Sequence, residues 1–368
     1  MKILFCGGGT FGHIAPSVSV AEVIGKQHPD AQLSFVGRRG GAENESIRGH
    51  GYPLYEISAE SPGQKSIRRG ARAILGLLRS FREARKILKE VSPDLVFGTG
   101  GYVCYPVMRM AQIMGIKTVV HESNAIPGRA VRMLATRCDS VLLGVEDARK
   151  ALPKSANCIF TGNPVRADFL RYTREKARRT LGLTRGEKLI LSFGGSGGAR
   201  MLNDAMLALM QTLEKRNDNT YHIHAAGRKY FEQIQKTHPE FALGKGRLRV
   251  YPFIENMPLY MCAADLCICR SGAMTVAELA AARLPAILVP SPNVKDNHQQ
   301  KNAESLAARG GAHICPENAL DTVEKTALAL LRDGKKAASM KAALSHYGRS
   351  DAAQNIANIV ISLLPDIK

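Results

Sequence analysis

The residues best suited to chemistry cluster between positions 265 and 302: Asp265-Leu-Cys-Ile-Cys269, then Arg270-Ser-Gly-Ala-Met-Thr-Val-Ala-Glu278, an apolar run to Pro290, and Asp296-Asn-His-Gln-Gln-Lys-Asn302. The run to Cys269 has the length and bulk of a buried parallel strand, Ser271-Gly272-Ala273 is a small-residue turn, and Met274 to Arg283 has helical composition. A helix N-terminus therefore follows a strand end. Its unpaired N–H groups and dipole favour a pyrophosphate, and small residues let phosphate oxygens come close to the backbone. Glu278, one turn into that helix, could accept both hydroxyls of a ribose. An ordinary strand-turn-helix unit would carry the same residue types. The cluster after Pro290 suits sugar hydroxyls, and its place at the carboxyl end of a strand over 286–289 favours a ligand. The alternative is a polar loop capping a helix that starts near Asn302.

Other segments repeat the plan. Lys2 to Cys6 reads as a strand, Gly7-Gly-Gly-Thr-Phe-Gly-His13 as a glycine-rich loop, and Ala15 to Gln27 as a helix. The spacing is neither that of a dinucleotide fingerprint nor that of a Walker loop, so nicotinamide and ATP are not supported. His13 is placed to take a proton from an attacking hydroxyl, or, as a lone histidine, to cap or pack a helix. Leu95 to Phe97 leads to Gly98-Thr-Gly-Gly-Tyr102 and a helix from Pro106 to Met114, with proline near its first turn. Thr118 to Val120 leads to His121-Glu-Ser-Asn124, Ala125-Ile-Pro-Gly128 and a helix ending near Thr136. Leu189 to Phe193 leads to Gly194-Gly-Ser-Gly-Gly-Ala199 and a helix over 201–215. Glycine loops from two halves would face one crevice, where open α/β sheets bind small ligands.

The elements that position these loops follow from the frame. With 368 residues and recurring alternation of β-branched runs and helical stretches, the chain reads as two α/β domains with parallel sheets. No secretory signal and no membrane span of about 18 uncharged apolar residues is visible. The eight cysteines are dispersed and form no C-x-x-C pair, so they read as reduced, buried apolar residues and not as a zinc site or disulfide framework. Lys plus Arg 51 against Asp plus Glu 32 gives a net charge of +19, which implies a polyanionic partner. Between Lys65 and Lys89, nine basic residues, Arg79, Arg82 and Arg85 among them, meet only Glu83. Ile74, Leu78 and Phe81 recur there at i, i+4, i+7 and would share a helical face. Such a helix lies in the headgroup layer of an anionic membrane, unless its apolar face turns to the core. Tryptophan is absent, aromatics are 6%, and no nucleic-acid module is present, so nucleic acid is not the expected partner.

Read in order, Gly8-Gly-Thr-Phe-Gly-His13, Gly100-Gly-Tyr102, His121-Glu-Ser-Asn124 with Ile126-Pro-Gly128, Gly162-Asn-Pro-Val-Arg166, Gly194-Gly-Ser196, Phe253-Ile254, Arg270 to Glu278 and His298-Gln299 resemble the MurG-type peptidoglycan glycosyltransferases over essentially the whole chain. That resemblance implies two Rossmann-like domains facing a central cleft, the GT-B fold. It also implies UDP-GlcNAc as donor and undecaprenyl-pyrophosphoryl-MurNAc-pentapeptide, lipid I, as acceptor, with inverting transfer to the muramyl 4-hydroxyl. By the same resemblance His13 is the base. The donor contacts are Thr10, Gly12, Asn124, Arg166, Ser196, Ile254, Ala273, Met274, Thr275, Glu278, His298 and Gln299. Gly9, Thr10, Gly100, Gly101 and Tyr102 hold the acceptor pyrophosphate, and Ile74, Leu78, Phe81, Arg79, Arg82 and Arg85 form the membrane patch. No cofactor and no metal are expected, backbone donors meeting the pyrophosphate charge.

The turn-rich stretch Thr161-Gly-Asn-Pro164 marks the expected boundary, before a charged helix over 166–181. Residues 1–162 with 350–368 would then face acceptor and membrane, the C-terminal helix Ala352 to Leu364 returning to the first domain. Residues 163–349 would bind the donor. The expected location is the cytoplasmic face of the plasma membrane, peripherally, with other cell-wall synthesis and division proteins as partners. Two rivals stay open: another UDP-sugar enzyme of the same fold, a lipid glycosyltransferase or a UDP-GlcNAc epimerase, and a non-catalytic basic adaptor, which leaves Glu278 and Gln299 unexplained.

Overall fold

The structure, a computed structural model, describes residues 1–8, 11–41, 44–59, 67–216, 219–242, 246–349 and 351–364, with Phe11, residues 67–74, Leu170 and Lys295 described by backbone alone. The chain forms two compact units, Met1–Arg166 with Arg349–Lys368, and Ala167–Gly348.

Among the described residues the first unit carries a seven-stranded sheet: β1 (Lys2–Cys6), β2 (Gln32–Arg38), β3 (Leu54–Ile57), β4 (Leu95–Gly98), β5 (Lys117–Glu122), β6 (Ser140–Leu143) and β7 (Cys158–Phe160), in the order β3-β2-β1-β4-β5-β6-β7. Every pairing is parallel. The sheet is covered on both faces, which is why its strands read as unbroken apolar runs and not as alternating ones. Ile3, Phe5, Leu95 and Phe97 pack with Ile14, Val18, Ile24, Ile356 and Val360 on one face. Leu4, Cys6 and Val96 pack with Ala84, Leu88, Val103, Val107 and Met108 on the other. Phe5 stacks on Phe35 at 5.0 Å between ring centroids and lies 5.5 Å from Phe97, so the three central strands are locked by one aromatic cluster. The C-terminal helix Ala352–Ser362 joins this core, packed against the helix Phe11–Gln27.

The second unit carries β8 (Lys188–Phe193), β9 (Thr220–Ala225), β10 (Leu248–Tyr251), β11 (Leu266–Cys269), β12 (Ala286–Leu288) and β13 (Ala312–Ile314), six parallel strands among the described residues in the order β10-β9-β8-β11-β12-β13. Leu202, Met206, Leu209, Met210 and Leu213 of the helix Arg200–Arg216 lie against Ile190, Leu266 and Ile268.

Several elements depart from the sequence reading. The helix expected to open at Pro106 begins at Gly101, with Pro106 buried inside it. The helix of the first glycine loop likewise begins at Phe11 and not at Ala15, with Pro16 inside it. Each proline costs one hydrogen bond, to the carbonyl four residues back, which a helix held by tertiary packing tolerates. The stretch 166–181 is not one helix: a 3-10 turn Ala167–Arg171 precedes the helix Arg174–Thr180, whose first turn is capped by the Thr173 hydroxyl accepting from the Lys176 N–H at 3.2 Å. Thr161 to Val165 stay with the first unit, because the Asn163 amide donates to the Ser123 carbonyl at 3.0 Å and the Gly162 carbonyl pairs with His121 at 3.2 Å.

Three buried imidazoles sit within these cores. Burial pulls the pKa of His121 and of His224 down to about 4. His222, buried and beside His224, lies well below its ordinary value. In the unfolded chain such groups titrate near 6.5, so below that pH the unfolded state binds protons that the folded state refuses until about pH 4. Stability is therefore complete above about pH 6.5 and is lost as pH falls toward 4, by up to about 1.4 kcal/mol per pH unit for each histidine. The urea midpoint should drop between pH 7 and pH 5 and the drop should shrink in His224→Gln; a midpoint that does not move over that range contradicts this.

Candidate functional site

In each unit the strand order reverses once, between β1 and β4 and between β8 and β11. At such a point the following loops diverge and leave a crevice at the carboxyl ends of the strands. The glycine-rich segments stand at these two positions.

In the second unit, Gly194 to Ala199 follows β8. Gly195 and Gly198 have φ of 90° and 72°, a region that side chains rarely adopt. The Gly198 N–H bonds the Gly195 carbonyl at 3.0 Å, closing a turn that leaves Ser196 exposed at its tip. A Cβ on Gly198 would collide with the Ala226 carbonyl, and one on Gly227 would stand 2.7 Å from the Gly198 backbone. The loops after β8 and β9 are thus pressed together. A polar chain fixes that contact. His222 Nε2 and His224 Nδ1 lie 2.7 and 2.8 Å from the Ser192 hydroxyl, His224 Nε2 lies 3.1 Å from Asn203 Oδ1, and the Asn203 amide donates to the Ala226 carbonyl at 3.0 Å. Because Asn203 Oδ1 can only accept, His224 carries its proton on Nε2 and Ser192 donates to its Nδ1.

After β11, Gly272 precedes the helix Ala273–Ala282 in extended conformation, so the N–H groups of Ala273, Met274 and Thr275 stand at a helix start among small residues. The helix starts one residue earlier than the composition indicates, and Arg283, expected within it, is its left-handed cap. Glu278 is half-buried in the second turn of that helix. The polar cluster is not a loop: His298, Gln299 and Gln300 form the first turn of the helix His298–Ala307, entered through Asp296 and Asn297, both left-handed at φ 53° and 49°. Asp and Asn tolerate that conformation better than other side chains. The two helix starts are tied together. Ser271 donates to the Gln299 carbonyl at 2.8 Å, Asn302 donates to the Ser271 carbonyl at 3.2 Å, and Gln299 Oε1 accepts the Ser291 N–H at 2.9 Å. With Oε1 so engaged, the Gln299 amide keeps its N–H groups for an acceptor. Arg270, paired with Glu317 at 2.7 Å, donates to the carbonyls of Val289 and Pro290 and so fixes the end of β12. Phe253 is 44% exposed beneath the Arg228 guanidinium, while the neighbouring Ile254 side chain is buried.

In the first unit, Gly9 and Thr10 lie outside the described residues. Gly12 and His13 belong to the first turn of the helix Phe11–Gln27. Gly100 and Gly101 have φ of 88° and 79°; a Cβ on Gly101 would collide with the Gly8 carbonyl and stand 3.1 Å from His13 Nδ1. The imidazole therefore lies against the second glycine loop, which Thr99 fastens by hydroxyl contacts to Ser17 at 2.9 Å and to the His13 carbonyl. Tyr102, beside them, accepts from Arg38 at 3.1 Å. Asn124 is held by Glu122, whose buried carboxylate accepts from the Asn124 N–H and amide, each at 2.9 Å, and from the Gly128 N–H at 2.7 Å. Arg166 is the half-buried last residue before the second unit.

The basic segment is the helix Ile67–Val91. Leu78 is 51% exposed and Arg79, Arg82 and Arg85 are exposed, whereas Phe81 is half-buried with its ring 6.1 Å from that of Tyr105. The Ile74 side chain lies outside the described residues. Leu75 and Leu77, also exposed, were missed by the spacing argument, which follows one helical face. Glu122, Asn203, Arg270 and Ser271 were missed as well. The first, third and fourth lie inside motifs that were read, and Asn203 carries no local signal of its partnership with β9.

The chain resembles known proteins over its whole length. Residues 3–143 match the glycosyltransferase family 28 N-terminal domain and 189–356 the family 28 C-terminal domain. The UDP-N-acetylglucosamine:N-acetylmuramyl-(pentapeptide) pyrophosphoryl-undecaprenol N-acetylglucosamine transferase of Ruminiclostridium cellulolyticum is 37% identical, covering 99% of this chain and 100% of its own. The enzyme of the same name from Desulforudis audaxviator is 38% identical, with 99% and 98% covered. Among solved structures, the MurG of Acinetobacter baumannii superposes with a TM-score of 0.75 at 26% identity, covering 98% of this chain and 100% of that one.

The close approach at Gly198 gives a measurable consequence. Gly198→Ala must accept both a left-handed backbone and a clash with a carbonyl, at a cost of about 1–3 kcal/mol. Gly197→Ala, where a Cβ meets nothing within 4 Å, should stay within about 0.5 kcal/mol. Urea denaturation of the two variants checks this, and equal losses would contradict it.

Proposed function

The chain belongs to the MurG family of glycosyltransferases, and from that premise we propose that it moves GlcNAc from UDP-GlcNAc, with inversion, to the 4-hydroxyl of the MurNAc unit of undecaprenyl-pyrophosphoryl-MurNAc-pentapeptide, converting lipid I to lipid II. The observation that carries the donor half is the pair of tied helix starts after β11 and β12, with Glu278 in the second turn of the first helix. In this reading the N–H groups of Ala273 to Thr275 and the Ser196 turn take the donor pyrophosphate, and Glu278 takes the ribose diol. Uracil meets the backbone at Ile254, and the GlcNAc hydroxyls meet His298 and the Gln299 amide. Thr10, Gly12, Asn124 and Arg166 complete the donor contacts.

The acceptor half rests on the first unit. Gly9, Thr10, Gly100, Gly101 and Tyr102 hold the lipid pyrophosphate, and His13 accepts the proton of the muramyl 4-hydroxyl. Support comes from the imidazole lying against Gly100 and Gly101, which keeps a base beside backbone able to approach a phosphate. The reaction is a single displacement. The hydroxyl oxygen forms its bond to C1 of GlcNAc as the C1–oxygen bond to UDP breaks, the proton goes to His13, and the charge left on UDP is met by the helix dipole and backbone N–H groups.

In this proposal the first unit, Met1–Arg166 with Arg349–Lys368, is the acceptor- and membrane-facing domain, and the second, Ala167–Gly348, the donor domain. No described helix is long and apolar enough to cross a membrane. The exposed Leu75, Leu77 and Leu78 beside Arg79, Arg82 and Arg85 instead suit peripheral docking on an anionic surface, the cytoplasmic leaflet that carries the acceptor.

Labelled GlcNAc should pass from UDP-GlcNAc to lipid I, with UDP as an inhibitor. Glu278→Ala should raise the KM for UDP-GlcNAc roughly tenfold to a hundredfold. His13→Ala should lower kcat by roughly a hundredfold or more while UDP affinity stays unchanged. Turnover of UDP-GlcNAc without acceptor would instead indicate an epimerase, and near-normal kcat in His13→Ala at saturating substrates would remove the base from His13.

A further inference from the structure

Glu83 is the single acidic residue among the nine basic ones between Lys65 and Lys89, and it does not simply neutralise its own helix. Its carboxylate accepts the Ser58 N–H at 2.6 Å and the Ser58 hydroxyl at 3.1 Å, both from the end of β3. It also accepts Arg39 at 3.3 Å, from the end of β2, and Arg79 at 3.2 Å, from one turn earlier in the helix. Burial alone would push its pKa up, yet the Ser58 bonds and the two guanidinium groups outweigh this and hold it below the usual carboxylate range. A second bond lies beside it: the buried Ser80 hydroxyl donates to the Ser58 carbonyl at 2.8 Å.

These contacts connect two surfaces that have separate roles. On the outer side, Leu75, Leu77 and Leu78 are exposed with Arg79, Arg82 and Arg85. On the inner side, Arg39 also donates to the Ser58 hydroxyl at 2.9 Å, and its neighbour Arg38 donates to Tyr102 in the first turn after Gly100 and Gly101. Phe81 meets Tyr105 on the same helix. The basic helix is thus fastened to the carboxyl edge of the sheet, two residues away in contact from the loop that touches His13.

We propose that Glu83 is a positioning residue: its clasp on Ser58 and Arg39 sets the height and orientation of the lipid-facing helix relative to the acceptor loops, so that a membrane-embedded acceptor meets the site in register. This rests on the membrane docking and acceptor binding proposed above. An acceptor free in water needs no such register, because it can approach in any orientation. A small misplacement of a reacting group costs roughly a hundredfold in a reaction that depends on proximity, so the loss should be large for the anchored acceptor only.

The test uses the full chain and two acceptors, lipid I in vesicles of phosphatidylglycerol and phosphatidylethanolamine, and a water-soluble short-prenyl analogue. For Glu83→Gln the proposal predicts a fall in kcat/KM of roughly tenfold or more with lipid I in vesicles, a change within about threefold with the soluble analogue, unchanged KM for UDP-GlcNAc, and unchanged sedimentation with the vesicles. Arg39→Gln, at a half-exposed position whose loss leaves the carboxylate and Ser58 in place, should show the same split more weakly. Equal losses with both acceptors would overturn the proposal, since they reveal a general role in folding the acceptor domain. No loss with either would overturn it too. If wild-type protein transfers to neither acceptor, the proposed function itself fails; if it transfers but does not sediment with vesicles, the docking reading fails.

Discussion

The constraint on which the site depends is the missing Cβ at a few glycines, where two loops leave adjacent strand ends. Gly101 lies against the Gly8 carbonyl, and Gly198 against the Ala226 carbonyl, in each case with positive φ. Either contact would be lost to any side chain, and with it the alignment of backbone N–H groups at the sheet edge. The parallel sheets supply rigid platforms, the reversal in strand order supplies the crevices, and the glycines allow main chain, with no side chain in the way, to line them. Backbone donors suit phosphate because they are fixed before the ligand arrives, and so need no reordering when charge develops on it.

Side chains then act mainly by holding main chain. Glu122 gathers the N–H groups of Asn124 and Gly128, Ser271 and Asn302 join two helix starts, and Ser192, His224 and Asn203 fix the turn at Ala226. The histidines in the last chain stay neutral because burial disfavours their charged form. In the first unit Glu83 of the basic helix accepts from Ser58 and Arg39, and Arg38, beside Arg39, donates to Tyr102 after the second glycine loop.

Much of this was legible in the sequence. The two α/β units with parallel sheets followed from alternating β-branched and helical stretches, and the glycine loops marked the strand ends that lie at the crevices. Helix starts fall earlier than composition suggests: proline chemistry at Pro106 suggests a helix opening, whereas Pro106 lies inside a helix that the core holds together, and the first helix begins at Phe11 and not at Ala15. His298 to Gln300 looked like a loop because Asp296 and Asn297 carry turn chemistry, which here starts a helix instead. Partners distant in sequence, Asn203 with Ala226 and Glu83 with Ser58, have no local signature, since their spacing is set by the fold and not by a helical or strand period.

In the proposed reaction, backbone amides after β8 and β11 take the donor pyrophosphate. Amide hydrogen exchange measured with UDP, and with uridine as the control that lacks phosphate, tests it most directly. Slowed exchange over 195–199 and 273–276 is expected with UDP and not with uridine. Slowing confined to 252–256 with both ligands, or pyrophosphate-dependent slowing at 11–13 and 99–102 instead, would contradict it.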